Sequence, residues 1–174
     1  MNRCNFVSLS AIAMIAMSLS SLSSKASAQQ KSLKEQLVGA WTLVSCDVTR
    51  NGAKQPFCAD PSPNGILILD ASGRYATVLA ARGRPKFSTS PTSNRSEARA
   101  EEYKAAAMGV VANFGTWSIN EADKTLTQHI EGALFPNAEG ADAKRTVSVS
   151  GDELKLVTPA SVSPRDEAVY RRAK

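Results

Sequence analysis

The chain has 174 residues, with 21 basic and 16 acidic side chains and a single histidine, so its formal net charge is +5. This length is enough for one domain with a sizeable core. The positive excess is mild, and no lysine–arginine cluster alternates with aromatic residues as a nucleic-acid-binding surface would need. The charges near the C-terminus, Arg171, Arg172 and Lys174, are interpreted as a solvated tail.

The first 28 residues have the pattern of a cleavable export signal. Arg3 gives a short basic region, residues 6–19 are apolar but too short for a membrane span, and Ala26-Ser27-Ala28 is a small-residue cleavage site. We therefore expect cleavage after Ala28, export to the periplasm or the exterior, and no membrane span. Residues 29–174 are predicted to form one mature domain, which we expect to be a monomer.

Two cysteines lie in the mature region, Cys46 and Cys58. In an oxidising compartment an even pair usually forms a disulfide, and this one would tie the first strand to the following loop. The alternative is two separate thiols, because sequence does not show geometry. These two cysteines and the single histidine, His129, fall short of the four ligands of a tetrahedral metal site and lack ligand spacing, so no metal is predicted.

In chain order, the sequence predicts a helical turn at 29–36, a long strand at 37–49 and a loop at 50–64. A hairpin follows, with strands at 65–69 and 74–81 joined by Asp70-Ala71-Ser72-Gly73. Residues 83–93 are polar and interrupt the sheet. A helix at 95–112 is favoured by its alanines, with Asn94 or Ser96 as the cap.

The second half of the chain is dominated by β-type segments. The predicted strands are 113–119, 125–131, 145–150, 153–158 and 166–172. About eight strands with turn signals every ten residues or so indicate an all-β barrel or sandwich with one helical insertion.

Four segments, in order along the chain, resemble the bacterial lipocalin-like domain family, a calycin-type group of small β-barrels. They are Leu37–Ser45, which contains Gly39-x-Trp41; Pro63–Asp70 with Gly73-Arg74-Tyr75; Phe114–Trp117; and His129–Asn137 followed by Arg145. The resemblance implies an antiparallel barrel of about eight strands, which is a container. It also implies structural roles for Gly39 and Trp41 and an arginine stacked on that tryptophan. We assign this stacking to Arg145, with a clamp for a ligand carboxylate as its alternative role.

Alternation along 125–131 places Thr127, His129 and Glu131 on one strand face and Leu126, Gln128 and Ile130 on the other. If the polar face pointed into the barrel, His129 and Glu131 would contact a ligand, and His129 would be a weak candidate for acid/base catalysis. The alternative is a histidine that is buried and hydrogen-bonded, or simply exposed.

Aromatic side chains complete the set of predicted ligand contacts. Tyr75, Tyr103, Phe114 and Trp117 would line an apolar pocket, together with Arg145. Ordinary core packing is the alternative for each aromatic residue. The sequence has no nucleophile elbow and no phosphate-binding glycine loop, so neither a hydrolase nor a cofactor is predicted.

These observations predict an exported lipocalin-like barrel that binds a small apolar or amphipathic molecule, with helix 95–112 as a lid across or beside its mouth. One alternative is an isomerase or cyclase that uses His129 with Glu131 or Arg145. The other is an envelope protein-binding or structural module with a filled core, which would expose a broad apolar patch on one sheet face.

Overall fold

The fold is described from a computed structural model, which covers residues 31–57, 60, 62–88, 98–162 and 164–174. It contains two helices, nine strands and a 3-10 turn at Pro136–Ala138. The helices are α1 (Leu33–Leu37) and α2 (Ala100–Met108). The strands are β1 (Gly39–Arg50), β2 (Ala53–Pro56), β3 (Asn64–Leu69), β4 (Arg74–Ala80), β5 (Val110–Asn120), β6 (Thr125–Ala133), β7 (Asp142–Ser150), β8 (Glu153–Val157) and β9 (Arg165–Arg172).

Eight of the strands close an antiparallel barrel. Each pairs with the next along the chain from β3 to β9, and β1 joins both ends by pairing with β3 on one side and β9 on the other. In the closing ladder Trp41 lies opposite Arg172 and Thr49 lies opposite Arg165. The predicted all-β, lipocalin-like barrel is therefore confirmed.

The ninth strand, β2, was not predicted, because residues 50–64 were interpreted as loop throughout. Asn51 and Gly52 both have positive φ angles, 50° and 79°, which is the backbone of a tight two-residue hairpin turn. The turn folds β2 back onto the end of β1, with Arg50 opposite Ala53. β2 thus lengthens the wall of the barrel beyond the end of β3.

The predicted helix at 95–112 is too long at both ends. α2 begins at Ala100, and its N-cap is Arg99, not Asn94 or Ser96 as predicted. α2 ends at Met108, Gly109 follows it, and Val110 and Val111 already pair with Ala80 and Leu79 of β4. Two adjacent β-branched residues favour a strand, and the pairing with β4 overrides the helical preference of the alanines before them. Residues 95–97 lie outside the described part of the chain.

Side chains alternate between the inside and the outside of the barrel, and the inside is filled at one end only. The filled end is closed by α1 and packed with residues of 0–5% exposure, among them Leu37, Trp41, Leu69, Trp117 and Leu126. At the other end the same strands surround open space. Within the described residues, no helix is long and apolar enough to cross a membrane.

Candidate ligand cavity

The unfilled half of the barrel contains a cavity of about 400 Å³. All eight barrel strands contribute inward-facing side chains to its wall, for example Cys46 of β1, Leu79 of β4 and Ile130 of β6. Phe57, Val162 and Pro164 lie beyond the strand ends and surround the mouth. The cavity is therefore a blind hole, closed by the packed core and open at the opposite end of the barrel.

Most of the wall is apolar. Aliphatic side chains come from opposite sides of the barrel and include Leu67, Leu79, Val111, Ile130, Leu156 and Ala168. Four of them, Leu67, Leu79, Leu156 and Ala168, also belong to the hydrophobic core. The floor of the cavity is therefore formed by the core itself, and the cavity is the part of the barrel interior that the side chains do not fill.

A polar cluster interrupts this aliphatic lining on the side formed by β7, β8 and β9. The Arg145 guanidinium lies 3.1 Å from a carboxylate oxygen of Asp166 and donates to the carbonyl of Lys144 at 3.0 Å. The Thr158 hydroxyl contacts the other carboxylate oxygen of Asp166 and accepts a hydrogen bond from its backbone N–H. A guanidinium carries five N–H donors, so these contacts leave part of Arg145 available to a ligand.

A second, outer cavity of about 800 Å³ adjoins the mouth. Ala105 and Met108 of α2 form one side of it, and three residues line both cavities: Val48, Arg50 and Phe57. α2 therefore lies beside the mouth, which is one of the two positions expected for a lid. Among the described residues, no hydrogen bond or ion pair engages the side chain of Arg50.

Two contacts fix the segments around this outer cavity. Glu102 of α2 accepts backbone hydrogen bonds from Arg99 and Ser88, which lower its pKa to about 2. Asp60 accepts from the backbone N–H of Arg82 at 2.6 Å, and this bond lowers the pKa of the Asp60 carboxyl. The start of α2 and the loop after β2 are thus each tied to the chain that follows β4.

Tyr75, a predicted ligand contact, lies on the inner face of β4, below the cavity-lining residues Thr77 and Leu79. It is 4% exposed, and its hydroxyl is buried without a hydrogen-bond partner among the described residues. Burial raises the pKa of Tyr75 to about 12, and the charge of Glu131 acts in the same direction. Tyr75 therefore presents an unsatisfied polar atom in the core near the cavity floor.

Arg172, and not Arg145, stacks on Trp41, so that assignment is wrong. The Arg172 guanidinium carbon lies 4.1 Å from the Trp41 ring centroid, and its nitrogens donate to the carbonyls of Gln36 (2.7 Å) and Val38 (3.1 Å). Arg172 is opposite Trp41 in the closing ladder, whereas Arg145 lies on the cavity wall. The interpretation of Arg172 as part of a solvated tail is wrong for the same reason.

Gly39 serves this same contact. Its φ of 137° is one that side chains with a Cβ rarely adopt, and a Cβ there would lie 3.0 Å from an Arg172 nitrogen. The Gly39-x-Trp41 motif therefore combines a glycine that admits the guanidinium with the ring on which it stacks.

His129 and Glu131 face outward, so the interior position considered for them is wrong. On β6 the buried side chains are Leu126, Gln128 and Ile130, and the last two line the cavity. His129 Nδ1 lies 2.8 Å from an Asp142 carboxylate oxygen on the outer surface. Glu131 accepts from Arg74 at 2.7 Å, and this bond lowers the pKa of Glu131.

The other aromatic residues predicted to contact a ligand lie in three different parts of the molecule, and none of them lines the cavity. Trp117 is core at the closed end, where its indole N–H donates to the carbonyl of Asp70 at 3.0 Å. Phe114 is 51% exposed on the outer wall. Tyr103 lies on α2, with its ring 5.3 Å from that of Phe87. Of the predicted ligand-binding residues, only Arg145 lines the cavity.

Cys46 is buried and lines the cavity, whereas Cys58 lies outside the described residues, so their pairing remains a prediction. Sequence reasoning missed Asp166 and Thr158, the partners of Arg145. Asp166 could have been found from the sequence, because it is a charged residue on the same strand face as the buried Ala168 and Tyr170 and therefore faces the interior. Among the described residues, no group of three or more His, Cys, Asp or Glu side chains has the arrangement of a metal site.

The comparisons with known proteins agree with this architecture. The sequence model of the lipocalin-like domain matches residues 38–171, from the link between α1 and β1 to the next-to-last residue of β9. No curated protein matches the chain. The match includes β1 to β8 and β9 up to Arg171, and the chain therefore belongs to the lipocalin-like domain family.

Proposed function

We propose that this protein binds a small amphipathic molecule, with the apolar part of the molecule in the barrel cavity and its polar end at Arg145. The observation that carries the proposal is the blind cavity of about 400 Å³. Sites for small molecules typically measure roughly 300–1,000 Å³ and combine apolar walls with a few placed polar groups. Both properties are present here.

The aliphatic lining of the cavity supplies most of the binding free energy. Each Å² of apolar ligand surface that leaves water is worth roughly 25 cal/mol. The aliphatic lining surrounds the cavity on several sides, so an alkyl chain or a small ring would contact Leu79, Ile130 and Leu156 together. A preformed wall of this kind requires little reorganisation on binding.

The polar cluster orients the ligand. The charge of Asp166 compensates that of Arg145. Arg50, whose side chain has no ion-pair partner among the described residues, adds positive charge at the mouth. This balance favours a ligand end with acceptor oxygens, such as a carboxylate or a carbonyl, over a cationic end. The polar cluster thus selects against cationic amphiphiles.

A fluorescence titration with 8-anilinonaphthalene-1-sulfonate, an anionic aromatic amphiphile, tests the proposal. Ala143 lines the cavity on β7, so Ala143→Phe would occupy ligand space. Thr146→Phe adds a ring to the outward face of the same strand and is the matched control. We expect saturable binding that Ala143→Phe weakens by more than about tenfold and Thr146→Phe leaves unchanged. Equal binding by both variants would refute binding inside the barrel.

The role of Arg145 is tested by two ligands of equal chain length, dodecanoate and dodecanol. Loss of a hydrogen bond to a charged group costs about 1.5–3 kcal/mol, so Arg145→Met should weaken dodecanoate binding about tenfold or more. Dodecanol, which has no carboxylate, should lose much less affinity. A similar loss for both ligands would mean that Arg145 acts through packing and does not recognise the polar end.

The alternatives receive less support from the described residues. His129 is half exposed on the outer surface, away from the cavity, so no observation favours an enzyme that uses it. A structural module with a filled core would expose an apolar patch like the one on β3, β4 and β5, but it would lack the open half of the barrel. A ligand-binding role therefore remains the function that the geometry supports best.

We also propose that the protein is exported and that Cys46 and Cys58 form a disulfide. Support comes from the basic, apolar and Ala26-Ser27-Ala28 segments at the N-terminus and from the even number of later cysteines. Intact-mass analysis of protein from the periplasmic fraction tests both points. We expect a chain that begins at Gln29 and is lighter than its reduced form by two hydrogens. An uncleaved chain, or a mass unchanged by reduction, would contradict the respective proposal.

A further inference from the structure

The outer surface of the barrel is divided into an apolar half and a charged half. On β3, β4 and β5 the outward side chains form two rows of lateral neighbours across the strands. One row is Ile68, Ala76 and Phe114, and the other is Ile66, Val78 and Ala112. We call these six residues the apolar wall.

These side chains are not part of the barrel core, because their neighbours along each strand face inward. Leu67 and Leu69 are buried on either side of Ile68, and Ile68 itself is 41% exposed. Phe114 is the most exposed member of the apolar wall, at 51%. Val44 of β1 (42%) and Leu134 after β6 (48%) extend the exposed apolar surface at its two edges.

The opposite half of the outer surface is charged, and several of its charges are paired. His129 contacts Asp142 at 2.8 Å, and Glu167 contacts Lys155 at 3.1 Å and Lys54 at 3.3 Å. Arg74, at the border of the apolar wall, is paired with Glu131. The apolar wall has no ionisable side chain of its own.

We propose that two copies of this chain pack through the apolar wall to form a symmetric dimer. The exposed fractions of its larger side chains and of Val44 and Leu134 correspond to roughly 500 Å² per copy, since each such residue presents on the order of 150–250 Å² when fully accessible. Two copies would bury about 1,000 Å², which is in the range of weak, reversible interfaces. The largest apolar patch on a monomer commonly measures about 300–600 Å² and is often functional.

The shape of the apolar wall is complementary to a second copy of itself. Ala76 lies between Ile68 and Phe114, and Ala112 lies next to Val78, so large side chains alternate with hollows. A twofold axis presents the same surface to itself, which lets the large residues of one copy enter the hollows of the other. The Phe114 ring is preorganised, because it lies over Gly132, where a Cβ would be 2.6 Å from the ring. The six residues of the apolar wall bring no charge to such a contact, although the chain as a whole has a positive net charge.

The dimer expected here differs from the monomer predicted from the sequence, and it does not depend on the proposed ligand. Sedimentation velocity of the purified protein, from low micromolar to several hundred micromolar concentration, tests it. We expect a concentration-dependent monomer–dimer equilibrium. Val78→Asp should weaken the dimer by more than about tenfold, because it buries a charge in the interface.

Thr146→Asp is the matched control, because it places the same carboxylate on the outward face of β7, in the charged half. It should leave the equilibrium unchanged, and circular dichroism melting checks that both variants are folded. A wild-type protein that stays monomeric throughout, or a dimer that persists in Val78→Asp, would overturn the proposal. A monomer that sediments with phosphatidylglycerol vesicles through the apolar wall would overturn it in favour of a lipid surface.

Discussion

Arg172 is expected to be the most important single charge for the stability of this barrel. Its guanidinium stacks on the fully buried Trp41 ring and donates to two backbone carbonyls, that of Gln36 near the end of α1 and that of Val38 between α1 and β1. Arg172→Met keeps much of the aliphatic stem but removes the planar charge and every donor. The matched control is Arg171→Met, because Arg171 precedes it and lies on the exposed outer surface.

The magnitude follows from the contacts. A cation–π contact of this kind is worth about 1–2 kcal/mol when the ring is desolvated. The hydrogen bonds to Gln36 and Val38 contribute about 1 kcal/mol each at a half-buried site. The 3.8 Å approach of Asp152, whose side chain is 70% exposed, adds little. Arg172→Met should therefore lower the free energy of unfolding by about 3 kcal/mol.

Urea denaturation followed by tryptophan fluorescence measures this difference, and thermal melting should show a decrease of about 6–12 °C in Tm. Arg171→Met should change the free energy of unfolding by less than about 0.5 kcal/mol. Ligand affinity should be unchanged in both variants, because Arg172 lies at the closed end of the barrel. Equal stability of the two variants, or a cost below about 0.5 kcal/mol for Arg172→Met, would show that the Arg172 contacts do not stabilise the barrel.

Two further predictions concern the core. The pKa of Tyr75 is raised in the folded state from 10.0 to about 12, so the stability that depends on its neutral form is complete below pH 10 and is lost as the pH rises through 12. Tyr75→Phe should reduce this loss of stability at alkaline pH, measured by urea denaturation at several pH values. It should also raise the free energy of unfolding at pH 7 by about 1 kcal/mol, because it removes an unsatisfied hydroxyl. A destabilised variant would show that the hydroxyl is hydrogen-bonded. Gly39→Ala should cost about 1–3 kcal/mol because of its positive φ, whereas Gly83→Ala, where a Cβ meets nothing within 4 Å, should be nearly neutral; similar melting temperatures would contradict this account of Gly39.

The fold could be predicted from local patterns, because strands and turns leave signals in adjacent residues. The hairpin of β3 and β4 follows from alternating apolar residues around Asp70 and Gly73. β2 had a signal too, since Asn51-Gly52 is a strong hairpin dipeptide, but the prolines that follow led to the interpretation of a loop. Helix α2 ends early because β5 pairs with β4, and this tertiary contact is not visible in local propensity.

The site was harder to predict because it depends on which strand face points inward. Alternation correctly separated His129 and Glu131 from Gln128 and Ile130, but only barrel closure shows that the second pair faces the cavity. The arginine that stacks on Trp41 was also not predicted correctly, because the contact depends on barrel closure. Trp41 and Arg172 are far apart in sequence and meet through the register of the closing ladder, whereas Arg145 reaches Asp166 on a different part of the inner surface.

Ligand binding in the open half of the barrel can be measured by titrating the isotopically labelled protein with dodecanoate and following the backbone amide NMR shifts. We expect saturable shifts concentrated on the cavity wall, including Leu79, Ile130, Arg145 and Ala168. The account would be contradicted if these amides did not move, or if shifts were confined to the apolar wall around Ile68 and Phe114.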